Sequence, residues 1–422
     1  MKVFILHHHL NTGGVTKVID VQIDALKEAG SEVELIVGSD EDLKRTDLPV
    51  NIIKELNYLK PGAPKSKLDQ TLESLIQKLK SFVQAHPDCI FHVHNLCLGK
   101  NPLVNLALDQ LMQEGLSILN HCHDFAEDDR PHLMTLFDEV FSQYGKERES
   151  MLYPSQPSRM KYAVINGMDK KRLIKKGIQE NHILDLPNAI AQAPKLDQKA
   201  SKQLIRSQLG LDERAIFLYP VRVIRRKNIG ESILLSSLFA ESAQFLVTQP
   251  PKNPEELAAY QEWKAYCSEH PNLPIHFEVG QKVDFMQLMH GADVVISTSI
   301  QEGFGLGFLE PWLFEKPVMG RDLPEITRDF KNMGVSYSSL YNSLTIEGKD
   351  FPQYSVQEQQ NIIDKCLQNS EFASQCRSKI GPCDLTSATS SELVAKNKAI
   401  IEANYSPSAY GQKLSQFYAK SF

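Results

Sequence analysis

Three observations on the sequence predict an α/β fold made of two successive parallel-sheet units. Short apolar runs alternate with longer amphipathic stretches, the rhythm of βαβ units. That rhythm breaks once, at a polar, Pro-punctuated stretch near residue 190, and then restarts. The length of 422 residues suits two or three domains at roughly 150 residues each.

In chain order, the first unit opens with the apolar run 3–6 and the turn Asn11-Thr12-Gly13-Gly14. Val15, Val18, Ile19, Ile23 and Leu26 then share one face of a helix that Gly30 stops. Residues 33–37 read as a strand, 68–83 as a helix, 90–93 as a strand and 103–112 as a helix. The runs 117–119, 162–165 and 183–186 supply further strands. Leu186-Pro187-Asn188-Ala189 through Ala193-Pro194 reads as the linker, which divides the chain into 1–190 and 191–404. The second unit restarts with strand 216–221, a helix from Asn228, strand 245–247 and a helix from Glu255. Strand 275–279, helix 285–289, strand 294–297 and helix 308–314 follow. The stretch 405–422 reads as a helix that crosses back to the first unit.

Composition narrows the function classes. Hydrophobic residues are 42% and charged residues 23%, the balance of an ordinary globular protein. A net charge of −6 argues against general nucleic-acid binding and against adsorption to an anionic membrane, both of which want a basic surface. Seven scattered Cys fit reduced thiols better than a disulfide framework. The N-terminus lacks the pattern of a signal peptide, and no run approaches the ~18 apolar residues of a spanning helix. The expected location is the cytoplasm.

Open parallel sheets bind ligands at the carboxyl ends of their strands, and four such places carry chemistry. In HHHLNTGGVTK, Gly13 and Gly14 precede a helix N-terminus, whose unpaired N–H groups and dipole favour a phosphate; a plain tight turn is the alternative. In the run 220–227, Arg222 and Lys227 can converge on one diphosphate, the Arg by its planar fork and the Lys as a point charge; a solvated basic turn is the alternative. In Gln301-Glu302-Gly303-Phe304-Gly305-Leu306-Gly307-Phe308-Leu309-Glu310, the two carboxylates suit pairs of sugar hydroxyls. A dinucleotide fingerprint fails there, because Phe308 stands where its third glycine belongs.

The fourth place is the pair His92-Val93-His94 and His121-Cys122-His123-Asp124. With His7, His8, His9, Cys89 and Cys97 a zinc site is conceivable, but no CxxC or HExxH occurs. His donating to ligand oxygens, or packed in the core, fits better. Asp40-Glu41-Asp42 has the DxD form of metal-dependent sugar-nucleotide sites but sits in a charged run and reads as a solvated loop. Lys170, Lys171, Arg172, Lys175 and Lys176 read as an exposed helix face, with membrane or acidic-acceptor contact as the minority alternative.

Taken together, the Gly-Gly turn, Arg222-x4-Lys227 and Glu302-x7-Glu310 around GFGL resemble the retaining glycosyltransferases of the GT-B fold, family 4 type. The stretch from Lys316-Pro317-Val318 to Glu325 resembles that family's KPV…GGxxE, with Leu323-Pro324 in place of the two glycines. The resemblance covers most of the chain. It implies two Rossmann-like domains facing a central cleft, an acceptor-side domain (1–190 with 405–422) and a nucleotide-sugar domain (191–404).

By position, the resemblance assigns Arg222 and Lys227 to the donor diphosphate and leaving phosphate, and Glu310 to the ribose hydroxyls. Glu302 and the backbone of Phe304, Gly305 and Leu306 hold the donor sugar, Gly13 and Gly14 approach the phosphate, and His123, or His121 as fallback, contacts the transferred sugar. Two fixed cations stabilise a leaving diphosphate without a metal. No cofactor, no metal and retention of configuration are therefore expected. UDP-glucose is the first expected donor and GDP-mannose the second, with a hydroxyl acceptor that is soluble, such as a small polyol or a glycerate-like molecule, or a growing polysaccharide. A phosphorylase of the same fold, a lipid-linked or polysaccharide acceptor, an inactive sugar-nucleotide binder and a periplasmic-type binding protein are the alternatives.

Overall fold

A computed structural model describes residues 1–11, 13–41, 45–154, 158–380 and 391–422. Thr12 of the glycine turn and Asp42 of the acidic triplet lie outside the described residues. The chain divides into unit 1, Met1–Ala191 with Tyr405–Phe422, and unit 2, Gln192–Asn404.

Unit 1 holds the strands β1 (Lys2–His7), β2 (Glu32–Val37), β3 (Val50–Ile52), β4 (Ile90–His94), β5 (Ser117–Cys122), β6 (Met160–Val164) and β7 (Ile183–Asp185). They form one parallel sheet in the order β3-β2-β1-β4-β5-β6-β7. Its helices are α1 (Gly14–Glu28), α2 (Lys65–Ala85), α3 (Pro102–Gln113), α4 (Pro131–Ser142), α5 (Arg148–Leu152) and α6 (Gly167–Lys175).

Unit 2 holds α7 (Gln198–Leu209), β8 (Ala215–Arg222), α8 (Ile229–Leu238), β9 (Ala243–Gln249), α9 (Pro254–Glu269) and β10 (Ile275–His276). It continues with α10 (Phe285–Gly291), β11 (Val294–Ser297), α11 (Glu310–Leu313), β12 (Val318–Arg321), α12 (Pro324–Asn332) and β13 (Ser339–Tyr341). Among the described residues, α13 (Val356–Gln368), α14 (Ser370–Ser378) and α15 (Ser391–Tyr405) follow. Its parallel sheet runs β10-β9-β8-β11-β12-β13. The last helix, α16 (Pro407–Ser421), belongs to unit 1.

The strands are apolar on both faces, as a parallel sheet covered on both sides requires. Phe4 and Leu6 join the core that α2 and α3 cover, whereas Val3 and Ile5 join the core of α1 and α16. The α16 helix meets α1 closely enough that a Cβ on Gly411 would lie 2.6 Å from the Ala25 carbonyl oxygen. In unit 2, Phe217 and Tyr219 pack with α8, α9 and α13.

Both sheets reverse direction once. In unit 1 the chain grows outward from β1 through β2 and β3, then returns to place β4 on the other side; unit 2 does the same between β8 and β11. Doubly wound sheets open a crevice at the carboxyl ends of the strands flanking this point.

Two expectations need correction. The strand expected at 275–279 ends at His276, because Glu278 adopts a left-handed φ of 60° that turns the chain away. The helix expected at 308–314 becomes a single 3₁₀ turn, Leu306–Phe308, and the short α11. Pro311, without an N–H, suits only a first turn, so Glu310 begins the helix instead of lying in its body.

Candidate active site

The reversal point of unit 2 gathers the charged motifs. After β8 the chain makes a 3₁₀ turn, Arg225–Lys227, and Asn228 takes a left-handed φ of 49° before α8. The turn is pinned through its backbone. Tyr219 Oη donates to the Lys227 carbonyl at 2.7 Å, Thr298 Oγ1 donates to it at 3.1 Å, and the Ile300 N–H donates to the Arg226 carbonyl at 2.9 Å. Rigid main chain thus aims the side chains at the loop after β11.

There they meet Glu302. Arg226 Nη1 pairs with Glu302 Oε2 at 2.6 Å and also donates to the Gln301 carbonyl at 2.9 Å, while Lys227 Nζ pairs with Glu302 Oε1. Burial raises the Glu302 pKa, but the Lys227 and Arg226 charges outweigh it and hold the carboxyl below its ordinary range. Burial pushes Lys227 below the usual lysine range against the pull of Glu302. The site therefore contains a partly desolvated carboxylate shared between two cations.

Of the expected diphosphate ligands, Lys227 lies in this cluster. Arg222 is exposed at the end of β8 and has no ion pair or side-chain hydrogen bond among the described residues. The cation that joins Lys227 on Glu302 is Arg226, which the sequence reading passed over within its own basic run.

The glycine loop that follows is built by packing. Phe304 is buried edge-on against Phe330, with centroids 5.6 Å apart. Gly305 has φ +87°, and a Cβ there would lie 2.5 Å from Ile326 Cγ2. Leu306 is exposed and Glu310 half-buried. The stretch after Lys316-Pro317-Val318 turns its charges inward. Arg321 binds Glu231 and Asp350, and Asp322 accepts from Thr327 at 2.5 Å and pairs with Lys331 at 2.6 Å. Pro324 opens α12, so Leu323-Pro324 serves as a helix start in place of a glycine turn.

In unit 1 the histidines converge. His92 and His94 lie on one face of β4, His94 sits in register with His121 of β5, and His123 follows the end of β5. His123 Nε2 and His94 Nδ1 are 2.9 Å apart, with the rings nearly coplanar at 7°. Gln22 of α1 reaches His94 at 2.9 Å through Oε1 and His92 at 2.7 Å through Nε2. Tyr418 of α16 meets His92 Nδ1 at 2.6 Å, and His92 Nε2 lies 3.1 Å from His121 Nδ1. Burial lowers the pKa of all four rings, that of His92 to about 3. His121 is fully buried, whereas His123 is partly exposed.

His92, His94 and His121 are near enough, all within 4.8 Å, to be considered for a cation. However, both ring nitrogens of His92 and of His94 are already engaged, so an ion would have to break those bonds. The thiols do not join them: Cys97 and Cys122, 3.7 Å apart, belong to the opposite core. His8 Nδ1 meets the Leu56 carbonyl at 2.7 Å and His9 Nε2 meets Tyr58 Oη at 2.8 Å.

The first turn of α1 is open. Gly13 and Gly14 are exposed, neither has a positive φ, and a Cβ at Gly14 would meet nothing within 4 Å. Asp40 and Glu41 are exposed in the turn after β2. The basic stretch of α6 is largely paired: Lys170 with Asp185 and Glu180, Arg172 with Asp128, and Lys176 with Glu149. Among the described residues, no helix is long and apolar enough to cross a membrane.

No protein-family model matches the chain. It is 31% identical over 348 residues to the mannosylglucosyl-3-phosphoglycerate synthase of Petrotoga mobilis, a match covering 78% of this chain and 66%, just under two thirds, of that protein. It is 23% identical over 385 residues to the mannosylglucosylglycerate synthase of Thermotoga maritima, covering 81% of this chain and 85% of that one. Among solved structures, a glycosyltransferase from Rickettsia africae has a TM-score of 0.65 at 14% identity, covering 100% of this chain and 98% of that one. Anabaena HepE in complex with UDP and glucose has a TM-score of 0.62 at 15% identity over the whole of both chains. At these identities the solved structures establish the architecture.

Proposed function

We propose that the chain, whose architecture is that of the GT-B fold, is a glycosyltransferase that moves a hexose from a nucleotide diphosphate sugar to a hydroxyl of a glycosylated glycerate. The observation that carries this reading is the cluster of Lys227, Arg226 and Glu302 at the reversal point of the unit 2 sheet. Mannose now precedes glucose as the transferred sugar, and GDP-mannose precedes UDP-glucose, because the two relatives are named as synthases of mannosylglucosyl compounds. The same names favour a glucosylated glycerate, with or without a 3-phosphate, over a lipid-linked or polymeric acceptor.

In this reading Lys227 and Arg222 bind the diphosphate, Glu310 the ribose and Glu302, with the Phe304 to Leu306 backbone, the donor sugar. The same reading assigns Gly13 and Gly14 to the phosphate and His123 to the transferred sugar. As the anomeric carbon–oxygen bond to phosphate breaks, the electron pair goes to the diphosphate, where fixed cations stabilise it in a water-poor site. The acceptor oxygen bonds to the anomeric carbon on the face being vacated, and its proton passes to the departing phosphate. Configuration is retained, and neither a protein nucleophile nor a metal is required.

Nucleotide diphosphate release tests the reading, with GDP-mannose, UDP-glucose and ADP-glucose offered against glycerate, glucosylglycerate and glucosyl-3-phosphoglycerate. Release from GDP-mannose with a glucosylated acceptor, undiminished by EDTA, and product NMR showing retention are the expected results. Activity only with a divalent ion overturns metal independence, and an inverted product overturns the stereochemistry. Phosphorolysis without nucleotide would show a phosphorylase instead.

A further inference from the structure

The buried amide of Gln22 hydrogen-bonds to His92 and to His94 and so bridges two histidine pairs, His92 with His121 and His94 with His123. From this geometry we infer that Gln22 is a positioning residue: it fixes the ring tautomer of His123, leaving Nδ1 of that ring as an acceptor for a hydroxyl of the transferred sugar. The hydroxyl contact rests on the functional reading above, while the tautomer does not.

The inference follows from hydrogen-bond bookkeeping. A neutral imidazole has one N–H and one acceptor nitrogen. Burial keeps these rings neutral, so each bond fixes the next. Gln22 Oε1 can only accept, hence His94 carries its proton on Nε2 and donates across 2.9 Å. His94 Nδ1 is then an acceptor, and His123 must donate to it from Nε2, also across 2.9 Å. His123 Nδ1 is left without a proton at the partly exposed end of the chain.

The other arm agrees. Gln22 Nε2 can only donate, so His92 Nδ1 is an acceptor, with Tyr418 Oη 2.6 Å from the same nitrogen, and His92 Nε2–H donates to His121 Nδ1. Gln22 is itself fully buried, so water does not compete for its amide. Asn95 Oδ1 accepts from the backbone N–H groups of His123 and Asp124 at 2.8 and 3.2 Å, which holds the ring's main chain in place. A sugar hydroxyl donating to Nδ1 would thus meet a lone pair oriented in advance, as precise positioning of a reacting partner demands.

NMR of the full chain labelled with ¹⁵N-histidine tests this, with His123 assigned by the signal lost in His123→Gln. The expected wild-type spectrum shows His123 as a single tautomer protonated on Nε2. Gln22→Met keeps the side chain's length but removes both hydrogen bonds, and should convert His123 to a mixture of tautomers. In the donor assay it should lower kcat by about 10-fold to 100-fold with donor KM within a factor of two, a split that general loosening of the fold would not give. A wild-type His123 protonated on Nδ1, or unchanged in Gln22→Met, overturns the inference. Where Gln22→Met fails to fold, His94→Leu breaks the chain one link nearer His123 and should give the same mixture. The spectra are recorded without substrate, so they decide the tautomer even if the donor screen finds no transfer.

Discussion

Lys227 enters its ion pair from a turn whose backbone is already committed to Tyr219, Thr298 and Ile300, so its ammonium has little freedom to relocate. A diphosphate binding there must share Lys227 and Arg226 with Glu302. Lys227→Ala should therefore lower kcat by ~10²–10³-fold, the usual cost of one lost charge stabiliser, as measured by nucleotide diphosphate release at saturating donor. Near-normal turnover would remove Lys227 from the leaving-group role. Arg222→Ala is expected to fall as steeply if Arg222 swings onto the phosphate, and an unaffected rate would transfer that role to Arg226. Sequence reading reached Lys227 and Glu302 separately, through a basic run after one strand and a glycine loop after another. Their pairing was not legible, because it depends on β8 and β11 being sheet neighbours. The histidines posed the same problem: period two puts His92 with His94, but only the β4–β5 register brings His121 and His123 to them.

The α16 helix illustrates what could be read of the elements and what could not. Its helical stretch was legible in 405–422, and its return to the first unit was implied by the family resemblance. The close approach of Gly411 to Ala25 was not, since it depends on the rotation of two helices. Gly411→Leu should force them apart and destabilise unit 1 by ~1–3 kcal/mol, the range for overpacking a filled core. A urea titration followed through unit 1 would show the lower midpoint, and an unchanged midpoint would mean the contact yields freely. Gly305→Ala combines a left-handed backbone with a contact to Ile326. It should weaken donor binding in a thermal-shift assay, and undiminished donor stabilisation would argue that the loop does not hold the sugar. Elements with a strong apolar face, such as α1, were read correctly. By contrast, α7 buries only Ser201 and Ile205 and offered too thin a stripe to find, and β3, β12 and β13 are only three or four residues long.

Taken over the whole chain, the buried histidines matter more to acid stability than the net charge of −6. Burial lowers the folded-state pKa of His8 to about 4 and of His92 to about 3, and pushes His7, His94, His121 and His123 well below 6.5. The unfolded chain therefore binds these protons first. Stability is complete above pH 6.5 and falls as pH drops through the window from 6.5 towards 3, by about 1.4 kcal/mol per pH unit for each fully shifted group. At pH 5, His92 alone should cost about 2 kcal/mol. The urea midpoint should drop sharply between pH 7 and pH 5, and a flat midpoint would show that these rings take up protons in the fold as readily as in the unfolded chain. Tyr418, which closes the histidine chain, lies in a helix separated from the rest of unit 1 by the whole of unit 2. On the ribosome, residues 1–191 must wait for about 230 more residues, roughly 10–50 s at ordinary elongation rates, before their sheet gains its last covering helix. During that interval the nascent α1 face, histidines included, is open to water and to whatever guards unfinished chains.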